Sequence, residues 1–115
     1  MAFDEIYAGR VRTLLADVPN VTERKMFGSL GFMVNGHLTI GVGDGSDGSI
    51  LMVRIDKDEE SNLLNIPGAS NTIMRGRPMS GWIDLTPEAV ETDEQLQMWL
   101  EKSVAFVQTL PPKTG

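Results

Sequence analysis

Phe3, Ile6, Tyr7, Val11, Leu14 and Leu15 recur at three- and four-residue spacing with Asp4, Glu5, Arg10 and Arg12 between them. This pattern predicts an amphipathic helix of about four turns, ended by Pro19-Asn20. The stretch Glu-Arg-Lys-Met-Phe-Gly-Ser-Leu-Gly-Phe-Met-Val-Asn-Gly that follows reads as the start of an antiparallel sheet, with a strand over 24–27, a break at Gly28-Ser29 and a strand over 30–33. Two registers compete for the next hairpin. A two-residue Asn35-Gly36 loop would pair Val34 with His37 and put Leu30 and Phe32 on one face with Thr39 and Gly41. A three-residue loop, with Gly36 left-handed, pairs Met33 with His37 and Phe32 with Leu38, and gathers Leu30, Phe32, Leu38, Ile40 and Val42 on one face. The second keeps the apolar set together and is the expected one.

Residues 43–49 form a flexible connector, and 50–55 a strand with Leu51, Val53 and Ile55 inward. The opposite sheet face then carries Gly31, Met33, His37, Thr39, Gly41, Met52 and Arg54. That set is too sparse for a second core, so this face is either solvated or covered by a partner. Residues 58–65 read as a short helix stopped by Pro67-Gly68, residues 72–81 as a loop or irregular edge because glycine and proline are dense, and 82–85 as a strand. Thr92 and Gln95 make a capping box for a last helix whose stripe is Leu96, Trp99, Leu100, Ser103, Val107 and Leu110. Pro111-Pro112 closes that helix, leaving a frayed tail over 111–115. The order α-β-β-β-α-β-α predicts a two-layer α+β domain, an antiparallel sheet of about four to five strands with helices on one face.

At 115 residues the chain fits a single domain able to bury its own core. The absence of cysteine excludes disulfides, thiolate metal sites and thiol catalysis. Neither a signal-peptide pattern nor an apolar run of membrane-spanning length is visible, so a soluble cytoplasmic protein without membrane association is expected. The net charge of −6 argues against direct nucleic-acid binding. Charge is unevenly spread: residues 84–101 hold acids and no base, whereas Arg24, Lys25, Arg54, Lys57, Arg75 and Arg77 lie mid-chain.

Candidate chemistry is thin. His37, the only histidine, has no carboxylate placed to orient it as a base. Asp44-Gly45-Ser46-Asp47-Gly48 offers oxygen donors, but the glutamate that an EF-hand loop needs at its twelfth position is replaced by Ile55. Gly28, Gly31 and Gly36 fall between strands, not ahead of a helix as a phosphate loop requires. Asp56, Asp58, Glu59 and Glu60 read as a solvated helix start. Arg75-Gly76-Arg77 is the most suggestive string, because guanidinium groups recognise carboxylate or phosphate and Trp82 is near enough in sequence to stack on one. Arg24 and Lys25 could add to an anion site there. Met33 and Met52 mark the sparse sheet face. No catalytic residue, metal or cofactor is expected.

The ordered strings ERKMFGSLGFMVNGHL, LMVRID, PGAS, MRGRPMSGW and WLEKSVAFVQTLPPK resemble the N-terminal domain of the TfoX/Sxy family of bacterial competence regulators, from about residue 10 to residue 113. That family's first motif usually reads Lys-Met-Phe-Gly-Gly; Ser29 stands at its second glycine, where a left-handed backbone would disfavour serine. The resemblance implies a fold similar to secretion-chaperone-like domains and a link to transcriptional regulation, and it offers no catalytic residues to carry over. Residues 1–115 are then one TfoX N-terminal-like domain, without the C-terminal domain of longer members. The expectation is a non-enzymatic interaction or regulatory adaptor module that engages a protein partner or a second copy of itself. The alternative is a small-anion or phosphorylated-ligand site on the Arg75–Arg77 loop.

Overall fold

The computed structural model describes residues 3–26, 28–46 and 48–112. The expected strand end at Phe27, Asp47 of the connector and tail residues 113–115 lie outside them. Among the described residues six strands form one antiparallel sheet: β1 (Val21–Met26), β2 (Ser29–Val34), β3 (His37–Val42), β4 (Leu51–Arg54), β5 (Ala69–Met74) and β6 (Arg77–Leu85). Their spatial order is β1-β2-β3-β4-β6-β5. The helices α1 (Glu5–Leu14), α2 (Glu60–Leu63) and α3 (Asp93–Gln108) pack on one side. This is the predicted two-layer α+β architecture with a larger sheet.

The additional strand is β5, in the region read as loop or irregular edge. Arg75 (φ 53°) and Gly76 (φ 77°) turn the chain into β6, and the ladder slips between Asn71 and Ile73. Pro78 is tolerated because β4 pairs only with residues 82–85, so β5 is the single neighbour of β6 at that point.

Helix ends follow local chemistry. The Asp4 carboxylate accepts from the Ile6 and Tyr7 amides at 2.9 and 3.1 Å, which caps α1. Thr92 and Gln95 complete the predicted capping box on α3, at 3.1 and 2.8 Å. From α3, Leu96, Trp99, Leu100, Ser103 and Val107 are buried on the side that packs on β2, β3 and β4, in one core with Phe32, Ile40 and Val53. Arg10 of α1 lies 5.0 Å from the centre of the Tyr7 ring and reaches Asp93 at 3.4 Å, tying α1 to the start of α3.

The β2–β3 hairpin differs from the expected register. Asn35 (φ 53°) and Gly36 (φ 83°) form a two-residue loop, both at positive φ as a type I′ turn requires, and Val34 pairs with His37. The apolar face is recovered by a bulge: Met33 opposes Leu38 and Phe32 opposes Ile40, leaving Thr39 unmatched. Leu30, Phe32, Ile40 and Val42 therefore do share the buried face, but Leu38 turns to the other side. The bulge is stabilised from two directions. The Thr39 hydroxyl donates to the His37 carbonyl at 2.9 Å, and the Ser103 hydroxyl of α3 donates to the Thr39 carbonyl at 3.0 Å.

Candidate functional site

The sheet face away from the helices is hollowed into an open groove of about 870 Å³. Its lining runs from Ser29 and Gly31 on β2, through Leu38, Gly41 and Met52, to Asp84 on β6 and Thr72, Ile73 and Met74 on β5, with Asp44, Ser46 and Ser49 at one end. Gly31 and Gly41 are cross-strand partners, so the floor has no side chains at its centre. Met52 lies over that gap: a Cβ on Gly41 would meet its Cε at 3.5 Å. Ile73 and Met74 are 57% and 49% exposed on the β5 wall. Asp84 accepts a hydrogen bond from the Thr72 hydroxyl at 2.7 Å. The surface thus combines adaptable thioethers and aliphatic groups with carboxylates, which suits apolar side chains accompanied by neutral or basic ones.

The residues singled out from sequence disperse over the molecule. Met52 lines the groove, and Met33 faces the same side, opposite Leu38. His37 and Thr39 do not lie on the open face, because the tight turn and bulge rotate them into the helix layer, where both are buried. His37 Nε2 donates to the Pro111 carbonyl at 2.7 Å; a carbonyl can only accept, so this bond fixes the tautomer and pins down the start of the tail expected to fray. Arg54 is likewise not presented as a free cation. Its guanidinium carbon is 5.6 Å from the Phe106 ring centre on α3 and 5.9 Å from that of Trp82. Trp82 therefore stacks on its cross-strand neighbour Arg54.

Arg24, Lys25, Arg75 and Arg77 do not form a common anion site. The first two lie on β1 and the last two at the β5–β6 turn, at opposite ends of the strand order. Arg24 opposes Gly31 and Lys25 opposes Leu30, so even these neighbours project from opposite faces of β1. None of the four lines the groove.

The acidic run after β4 has structural work. Asp56 accepts from the Asp58 amide at 2.9 Å, capping a 3₁₀ turn at Lys57–Glu59; Glu59 pairs with Lys102 of α3 at 2.7 Å; and Glu60 accepts from the Gly81 amide at 2.6 Å. Asp44 accepts from the Ser46 amide at 2.9 Å, and that bond holds its carboxyl below the ordinary range. No group of three or more metal-ligating side chains occurs among the described residues. No described helix is long and apolar enough to cross a membrane.

Leu38, Thr72, Ile73, Met74 and Asp84 are groove residues that the sequence reading missed. Leu38 was accessible through the Asn-Gly signal for a two-residue loop. The β5 residues carry no alternating pattern that would have marked a strand.

An open antiparallel sheet backed on one side by helices, with a glycine-floored groove on the other, defines a small α+β domain whose described helices all lie on one face. The TfoX N-terminal domain family matches residues 13–107, and the chain belongs to that family. Neither a curated protein nor a solved structure gives a match.

Proposed function

We propose that this domain is a non-enzymatic interaction module, a regulatory adaptor whose open sheet groove receives apolar side chains of a protein partner. The observation that carries this reading is the groove itself. It lies on the one sheet face that no helix uses for its own core, and it is floored by paired glycines and lined by Leu38, Met52, Ile73 and Met74. Occupation of His37 and the acids at 56–60 by structural hydrogen bonds and an ion pair favours a binding role over acid–base chemistry. Membership of the TfoX N-terminal domain family supports placing that binding in a regulatory setting.

The test is affinity capture from cells that carry this chain, with wild type, Met52→Asp and Ile6→Ser as bait. Ile6 is 76% exposed on α1, a different element from those that line the groove. A partner retained by Ile6→Ser and lost with Met52→Asp is expected, together with transcript changes in a deletion strain that wild type reverses and Met52→Asp does not. Identical partner sets for all three baits would overturn the assignment of the groove.

A further inference from the structure

The two edges of the sheet are built differently. β1 presents Thr22, Glu23, Arg24 and Lys25, all exposed, and charged residues along an edge oppose pairing with another strand. β5 reads Ala-Ser-Asn-Thr-Ile-Met, six residues without a charge, on a chain with a net charge of −6. Among the described residues its one strand neighbour is β6, so its outer row of backbone amides and carbonyls faces away from the sheet. Ile73 and Met74 are among the large hydrophobic side chains that stand exposed, and they are adjacent on this strand.

We infer that β5 is a homodimerisation edge, pairing antiparallel with β5 of a second copy to continue the sheet across a two-fold axis. Charge complementarity selects a second copy as the occupant. Opposite residues in an antiparallel ladder lie on the same face, so a two-fold axis through the strand centre makes one residue oppose itself, at Asn71 or Thr72. The Asn71 register lays the Arg75-Gly76-Arg77 turn of each copy beside residues 65–67 of the other and the Thr72 register beside residues 67–69, so in both Arg75 lies opposite a chain neighbour of Gly68. Those residues adjoin an acid. Gly68 packs so closely on the 3₁₀ turn Pro87–Val90 that a Cβ there would meet the Ala89 amide at 2.8 Å, and exposed Glu88 stands next to Ala89 on that turn. Each Arg75 therefore faces the partner's acidic turn, and the symmetry supplies this contact twice. Pairing β5 with β1 would be head-to-tail and open-ended, and the charges on β1 oppose it.

This inference goes beyond the groove reading because it rests on the outer edge of β5 and the arginine turn; Ile73 and Met74 also wall the groove, so the Met52→Asp variant below separates the two. Sedimentation equilibrium and light scattering over a concentration series up to about 0.5 mM measure it. Wild type is expected to rise from 12.6 kDa toward twice that mass. Ile73→Lys places a charge on the edge at an exposed position and should weaken dimerisation about tenfold or more. Arg75→Glu and Glu88→Arg should each weaken it, and the double variant should recover most of the loss. Circular dichroism melts confirm that each variant is folded. Met52→Asp, the groove variant, should dimerise as wild type does, so failure of one proposal is distinguishable from failure of the other. Wild type that stays monomeric through the series, a dimer indifferent to Ile73→Lys, or a double variant no better than the singles would each overturn the inference.

Discussion

Gly68 shows how a single atom limits substitution. It sits at φ 91°, and an added Cβ would lie 2.7 Å from the Thr86 hydroxyl and 2.8 Å from the Ala89 amide. The Gly68 carbonyl also accepts from the Thr86 amide at 2.9 Å, so the turn cannot relax away without losing that bond. Gly68→Ala combines left-handed strain with a backbone clash and should cost about 2–3 kcal/mol in urea unfolding. Gly48→Ala shares the positive φ but meets nothing nearby, and should cost about 1 kcal/mol. The Arg12–Glu23 pair allows a pH argument. The guanidinium donates to both carboxylate oxygens at 2.6 and 2.8 Å, and this holds the Glu23 carboxyl below the ordinary 4.5. A depressed carboxyl contributes stability that is present above the unfolded-state pKa and lost as pH falls through the folded-state value. The melting-temperature gap between wild type and Glu23→Gln should therefore be constant near neutrality and close below pH 4.5. Because both groups are exposed, added salt should narrow it as well.

Among the elements, the β2–β3 hairpin exposes the tension between turn chemistry and hydrophobic pattern. Asn35-Gly36 favours a two-residue loop, while the apolar positions on either side favour a three-residue one. The chain satisfies both by inserting Thr39 as a bulge. Pattern reading weighs one ladder at a time and chooses between registers, so it cannot foresee a bulge whose carbonyl is satisfied by a helix that begins more than fifty residues later. Elements that carry their own signals were legible: the Thr92–Gln95 box, the α3 stripe, the breaks at Gly28 and Gly36. Ser29, a departure from the family motif, begins β2 paired with Met26, so the left-handed position belongs to Gly28 (φ 80°) and the serine is unstrained there. The role of Ser103 in the bulge is testable. Ser103→Ala removes the donor to the buried Thr39 carbonyl, costing about 1–3 kcal/mol, offset by roughly 0.5 kcal/mol of better helix propensity. A net loss of about 0.5–2.5 kcal/mol is expected, with amide exchange accelerating first around His37–Ile40.

At the scale of the whole molecule, the two faces of one sheet are built differently. The helix face holds the core: Phe32, Val34, Ile40, Val42, Val53, Ile83 and Leu85 are each fully buried. The groove face holds few large side chains, and the pairing of Gly31 with Gly41 keeps its centre low. Of the residues expected on the open face, His37 and Thr39 are turned inward by the tight loop and the bulge, whereas Arg54 keeps the strand face of Met52 and extends its guanidinium toward Trp82 and Phe106. The walls at β5 and β6 were illegible because their position depends on which strand lies at the edge, and that is set by non-local pairing. If the faces are separable, stability and binding should be too. Phe32→Ala removes a fully buried aromatic between sheet and helices, and should cost about 3–5 kcal/mol of a total of roughly 5–15. Leu38→Ser alters a half-buried residue in the groove, with water already on one side, and should cost about 1 kcal/mol or less. Urea midpoints should therefore fall steeply for Phe32→Ala and little for Leu38→Ser, while partner capture is lost in Leu38→Ser at temperatures where it remains folded. Equal destabilisation by the two substitutions would mean that the groove face belongs to the domain's own core, and the separation of folding from binding would fail.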